Sequence, residues 1–191
     1  MFRSIILPAV FTLAACSASQ AQTESCDMFM NFETSDELRQ WYAVNDGVMG
    51  GLSSGGPRFD DGIMIFEGVI NTNGGGFSSL RSRVTGGSFV DASGVKLRVK
   101  SDGRAYKLTL RTNVTWRGRR VSFQAPIPQI KPGEWGEVIV PFSSLGGTIF
   151  GRSVRGAKFD RAAVNELGII LADGQDGSFE FRVDWIQGCS A

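Results

Sequence analysis

Apolar and polar positions alternate with a period of two along most of the chain, and few segments carry the 3.6-residue period of an amphipathic helix. Val95, Leu97 and Val99 fall on one side and Lys96, Arg98 and Lys100 on the other. After Ser101-Asp102-Gly103-Arg104 the alternation resumes, with Tyr106, Leu108 and Leu110 against Lys107, Thr109 and Arg111. This pattern predicts a hairpin with one dry and one basic face. Further strands are predicted at 28–32, 41–44, 121–125 and 137–140, and Pro128 and Pro132 break any ladder between the last two. Leu167-Gly168-Ile169-Ile170-Leu171 reads as a buried strand followed by a turn at 173–177. Phe179, Phe181, Val183 and Trp185 then alternate with Glu180, Arg182 and Asp184, which places Trp185 in the core. Helical turns are predicted at 34–40, where Thr34 and Glu37 have capping-box spacing, and at 162–166. Strands at these intervals without βαβ alternation argue for an all-β sandwich.

Two glycine-rich loops, 45–56 and 71–76, flank the apolar run Ile63-Met64-Ile65-Phe66 and bring bare backbone to the ends of neighbouring strands. Three readings fit them. Glycine lets backbone amides approach an anion, but neither P-loop spacing nor a following helix is present. Asn45, Asp46, Asp60 and Asp61 offer hard oxygen ligands for calcium, though not at EF-hand spacing. In the third reading the residues serve turn geometry alone.

Composition narrows the class further. With 191 residues, 42% hydrophobic and 20% charged, the chain has material for one domain with a real core. Arg3, the apolar run 5–15 and Ser19-Gln20-Ala21 form an export signal, giving a signal peptide at 1–21 and one β-sandwich domain at 22–191. Leu13-Ala14-Ala15-Cys16 offers the alternative of a lipoprotein signal at 1–15, with Cys16 carrying a lipid anchor. Both readings send the domain out of the cytoplasm, to the periplasm or the bacterial envelope, and lipid at Cys16 is the one membrane attachment expected. Losing Arg3 takes the formal charge from +1 to zero, which argues against general nucleic-acid binding. Cys26 and Cys189 are the thiols left in a cleaved chain, and in an oxidising compartment they predict a disulfide joining its two ends; two separate buried thiols are the alternative. The chain contains no histidine, which removes Ser-His-Asp and Cys-His catalysis and the usual zinc sites. No cofactor is expected.

Three other constellations carry chemistry. Asp46, Glu67, Glu134, Glu137, Asp173 and Asp176 are candidates for paired-carboxylate glycoside hydrolysis, or are solvated turn residues. Trp116-Arg117-Gly118-Arg119-Arg120, with Lys107 and Arg111 nearby, forms a basic patch suited to an acidic partner or an anionic glycan, or a solvated hairpin end. Trp41, Tyr42, Trp135 and Trp185 could supply a sugar-stacking platform.

Asn45-Asp46-Gly47-Val48-Met49-Gly50-Gly51 with Ser53, then Phe66-Glu67-Gly68, then Asn73-Gly74-Gly75-Gly76-Phe77 with Arg81, resembles the signature of the complex I intermediate-associated protein family. The resemblance continues through Tyr106, Leu108 and Arg111, through Trp135 and Val140-Pro141-Phe142, through Gly151-Arg152, and to the closing strands around Asp176-Gly177-Ser178-Phe179. It implies a galactose-binding-like jelly roll. It also implies a binding or chaperone-like role, since mitochondrial members are implicated in assembling respiratory complex I without known catalysis. The candidate binding residues are Asn45, Asp46, Met49, Gly50, Gly51, Ser53, Asn73, Gly74, Gly75, Gly76, Phe77 and Arg81, and the expected partner is a protein of a respiratory complex or of the envelope, with a glycan as the alternative.

Overall fold

The computed structural model describes residues 25–190. The signal at 1–21 and the anchor at Cys16 therefore lie outside the described residues. In chain order the strands are β1 (Ser25–Met30), β2 (Trp41–Asn45), β3 (Ser54–Asp60), β4 (Ile63–Ile70), β5 (Ser78–Arg83), β6 (Gly94–Ser101) and β7 (Tyr106–Trp116). They continue with β8 (Arg119–Pro126), β9 (Trp135–Pro141), β10 (Gly146–Ile149), β11 (Arg152–Ser153), β12 (Glu166–Leu171) and β13 (Gly177–Ser190).

Two antiparallel sheets result. One runs β3-β4-β13-β6-β9, with β1 against the distal half of β13; the other runs β11-β10-β8-β7-β12-β5-β2. The alternating apolar positions close the space between them. Met64, Phe66, Leu97, Phe179 and Phe181 from the first sheet meet Leu80, Tyr106, Leu108, Leu167 and Ile169 from the second. Tyr106 packs on Phe181 across the layers with ring centroids 4.4 Å apart, and Phe66 meets Phe179 edge to face at 4.8 Å. β13 is the spine of its sheet, pairing with β1, β4 and β6. The Cys26–Cys189 disulfide forms at an in-register β1–β13 pair whose Cα atoms are 4.1 Å apart.

Four local expectations are corrected. The segments at 95–100 and 106–111 are not a hairpin: β6 pairs with β13 and β9, whereas β7 lies in the opposite sheet. The connection crosses between layers because Arg104 is clamped to the 173–178 turn, forking onto Asp173 at 2.7 and 2.9 Å and donating to the carbonyls of Gly177 and Ser178. β7 forms its hairpin with β8 instead, turned by Arg117 and Gly118 at φ 49° and 76°.

The turn at Ser35–Gln40 is 3-10, and Thr34 gives no side-chain cap. Glu37 instead accepts the Phe32 N–H at 2.6 Å, which fixes the strand-to-turn entry. The later turn spans Arg161–Ala163, capped by Asp160, and Glu166 already belongs to β12. Finally, a bulge between Val183 and Trp185 shifts the side-chain parity of β13, so Ile186 enters the core and Trp185 does not.

Candidate functional site

The two glycine loops meet where β2 ends and β5 begins. Asp46 opens a 3-10 turn, Asp46–Met49, that Gly50 closes at φ 90°. The Asp46 side chain is fully buried. Its Oδ1 accepts the Ser53 N–H at 2.9 Å, and its Oδ2 accepts the Ser53 hydroxyl at 2.5 Å and the N–H groups of Gly76 at 2.6 Å and Phe77 at 3.3 Å. One carboxylate thus holds both loops. Burial pushes this carboxyl up, but the hydrogen bonds from Ser53, Gly76 and Phe77 outweigh it and hold it below the usual carboxylate range.

The glycines around it have a steric reason. A Cβ on Gly51 would lie 2.3 Å from Asp46 Cγ, and one on Gly75 would lie 2.3 Å from Asp46 Oδ2. Asn45 is likewise committed, donating to the Gly55 carbonyl at 3.1 Å and accepting from Ser78 Oγ at 2.6 Å. Ser53 Oγ also accepts the Asn71 N–H at 3.0 Å, and Asp176 accepts the Thr72 N–H at 2.6 Å, tying the second loop to the 173–177 turn.

All the predicted binding residues except Arg81 lie in this loop pair. Asn45, Asp46 and Ser53 are spent on internal bonds, while Met49, Gly50, Asn73, Gly74 and Gly75 face water and Gly76 and Phe77 are half-buried. Sequence reasoning missed what stands beside Met49. Val48 and Leu52 are 74% and 66% exposed and Met49 is 57% exposed, so an aliphatic tip projects from a polar, rigid base. Asp60 and Asp61 lie at the far end of β3 from Asp46, so the four oxygen-bearing residues weighed for calcium are not brought together. Five of the candidate carboxylates other than Asp46 are individually engaged: Glu67 with Arg58, Glu134 with Lys131, Glu137 with Lys96, Asp173 with Arg104 and Asp176 with Thr72.

Arg81 belongs to a second region, the outer face of the seven-stranded sheet. Strand register sets Tyr42, Arg81, Gly168, Thr109 and Gln124 in one row across five strands, with Arg83, Glu166, Arg111 and Ser122 in the next. Gly168, in the middle, is buried and has no room for a side chain: a Cβ there would meet the Leu80 carbonyl at 2.5 Å and lie 3.1 Å from both Arg81 Cγ and Thr109 Cγ2, which close over it. Glu166 is buried; it accepts the Tyr42 hydroxyl at 2.6 Å and Arg111 at 3.3 Å, and Arg81 forms an ion pair with it at 3.6 Å. Burial pushes the Arg81 guanidinium down from its ordinary value; Glu166 opposes this and Arg111 adds to it. Arg111 Nε is buried without a hydrogen-bond partner among the described residues.

The two sheets differ in charge. The strands of this sheet carry Arg81, Arg83, Lys107, Arg111, Arg119, Arg120 and Arg152 against one acidic residue, Glu166. In the other sheet Lys96, Arg98, Arg58 and Arg182 each have a carboxylate partner: Glu137, Asp184, Glu67 and Glu180. The predicted basic patch divides accordingly. Arg111 and Arg120 reach the Glu166 face, whereas Arg117 stacks on Trp116 at 4.4 Å and Arg119 on Phe150 at 5.2 Å. The four aromatics of the predicted platform also separate. Trp41 is in the core, Tyr42 edges the arginine face, and Trp135 and Trp185 line a depression of about 480 Å³ on the six-stranded sheet.

Comparison with known proteins agrees with the resemblance in the sequence. The family described as complex I intermediate-associated protein 30 matches residues 30–183. Over 178 residues the chain is 27% identical to a probable complex I intermediate-associated protein 30, mitochondrial, of Caenorhabditis briggsae, covering 81% of this chain and 52% of that protein. The chain therefore spans about half the length of that relative. The Caenorhabditis elegans counterpart is 32% identical over 95 residues, 47% of this chain and 27% of its own. Among solved structures, a family 11 carbohydrate-binding module from Clostridium thermocellum, in complex with a β-1,3-1,4-mixed-linked tetrasaccharide, superposes with TM-score 0.64 and 16% identity over 87% of this chain and 96% of the module. That likeness supports the jelly-roll frame.

Proposed function

Because the chain belongs to the complex I intermediate-associated protein 30 family, we propose that it is a binding protein of the assembly-factor kind, whose protein partner docks on the glycine-loop end of the sandwich. The observation that carries this reading is the division of labour at Asp46. Asn45, Asp46 and Ser53 are consumed inside, and the large side chains that the first loop offers to water are Val48, Met49 and Leu52. Aliphatic side chains left in water add little to folding, and on a pre-ordered mount they bind with little entropy left to lose. The names of the relatives, complex I intermediate-associated proteins, support a respiratory-complex component as the partner. The export signal and the Cys26–Cys189 bond support action outside the cytoplasm, which makes an envelope-exposed subunit the specific expectation.

A photo-crosslinking residue placed at Met49 in the native host tests this. A discrete adduct with a respiratory-complex or envelope protein is expected, and Val48→Ser with Leu52→Ser should abolish it while leaving the melting temperature unchanged. Adducts that persist in the doubly substituted protein would remove the tip from the account. Recognition of a carbohydrate is the second reading, supported by a separate feature, the polar face of the seven-stranded sheet with Tyr42 at its edge.

A further inference from the structure

Resting on that second reading, we infer that the outer face of the seven-stranded sheet is a site for an acidic oligosaccharide, one carrying carboxylates on its sugar rings.

The charge asymmetry points to an anion. Arg81, Arg83, Lys107, Arg111 and Arg120 lie on this face, and the strands of its sheet carry one carboxylate, Glu166, which pairs with Arg81 and Arg111. Glu166 spends its oxygens on Arg81, Arg111 and Tyr42, and no described carboxylate forms an ion pair with Arg83. A depression of about 520 Å³ opens at this end of the sheet, lined by Arg83, Asn113, Thr115, Arg120, Asn165 and Glu166. Planar guanidinium forks match carboxylates in two-point contact, and here they are mounted on strands, not on loops.

The rest of the surface favours sugar over an acidic peptide. A peptide interface draws its energy from desolvated apolar anchors in pockets. This face instead presents the polar side chains of Ser122, Gln124 and Asn113, with the aromatic ring of Tyr42 at its edge. The row from Tyr42 to Gln124 crosses five strands, about 19 Å at the usual strand spacing. It is an extended polar bed bounded by an aromatic ring and lined with cations, which suits several linked sugars bearing negative charge.

Titration calorimetry of the whole exported protein with oligogalacturonate, a neutral β-1,3-1,4-glucan tetrasaccharide and poly-glutamate separates the outcomes. Oligogalacturonate binding that weakens with salt is expected, as is a loss of roughly tenfold in Arg83→Glu, at an exposed position where the melt should not change, and again in Lys107→Glu at a half-buried one. Glucan binding as strong as that of oligogalacturonate would keep carbohydrate recognition and overturn the acidic assignment. Binding of poly-glutamate at equal or higher affinity, or of none of the three, would overturn both. Oligogalacturonate binding that is indifferent to both charge reversals would move the site off this face and overturn the inference.

Discussion

Asp46 and Gly76, thirty positions apart, are joined by a 2.6 Å hydrogen bond from the glycine N–H to the buried carboxylate. The same oxygen takes the Ser53 hydroxyl, so the most acidic-looking candidate of the loop pair is a fastener between loops. Asp46→Asn puts an amide N–H₂ or a weaker neutral acceptor against donors that have no water to turn to. A loss of about 3 kcal/mol in urea unfolding is expected, since bonds to a charged acceptor and the cost of a stranded donor both count. A loss below about 1 kcal/mol would mean the loops are held by something else.

The same residue sets a pH dependence. Its carboxyl is held below its unfolded value, so its contribution is present in full above the unfolded pKa of about 4 and is lost as pH falls through the lowered folded value. The stability gap between wild type and Asp46→Asn should therefore be constant near neutrality and shrink below about pH 4. Asp173, lowered against its burial by Arg104, acts in the same direction in both proteins and cancels in the difference. A gap that widens in acid would contradict the assignment.

Glycine substitutions separate packing from turn geometry. Gly75→Ala drives a Cβ to 2.3 Å from Asp46 Oδ2, and Gly51→Ala drives one to 2.3 Å from Asp46 Cγ, so each should cost about 2 kcal/mol or more by overpacking. Gly47, in the same turn, has nothing within 4 Å and no left-handed φ. Gly47→Ala should be neutral or stabilise by about 0.5 kcal/mol through the unfolded state. Equal effects at the three positions in thermal melts would refute the steric argument.

The strands, the jelly-roll class and the family signature are legible in the sequence because alternation and glycine placement are local properties of the chain. What is not legible depends on pairing. The hairpin predicted from 95–111 has faultless alternation in both halves, yet Arg104 and Asp173 send the halves to different sheets. Trp185 keeps the parity of Phe181 in sequence, and a one-residue bulge reverses it. Arg81 reads as part of the glycine-loop motif by proximity, but β5 carries it past the loop to meet Glu166, a residue with no motif around it. Glu166 becomes conspicuous when strand order reveals it as the acidic residue in a sheet of cations.

The Cys26–Cys189 bond closes a loop of 163 residues between β1 and β13. Chain-entropy reasoning puts an upper value of about 5 kcal/mol on such a closure. Reductant, or paired Cys26→Ser and Cys189→Ser, should lower the melting temperature clearly in calorimetry. An unchanged melt, with two thiols titrating in the native untreated protein, would show that the bond does not form.

Glu166 gives the sharpest electrostatic test, because two guanidinium groups and a phenol converge on one buried carboxylate. Glu166→Gln leaves Arg81 and Arg111, which are mostly shielded from water, facing each other without a counter-charge, and about 2 kcal/mol of stability should go. Tyr42 reports on the same change. Its phenol is raised first by burial, then by its bond to Glu166 and by that negative charge, while Arg81 and Arg111 pull it down. Removing the charge leaves burial and the arginines, so the phenol should titrate at lower pH than in wild type. The chain has two tyrosines, and burial beside Asp102 raises Tyr106 far above the ordinary range, so alkaline absorbance reads Tyr42 first. An unchanged Tyr42 titration in Glu166→Gln would mean that burial alone sets it and that the Tyr42–Glu166 bond carries no charge coupling.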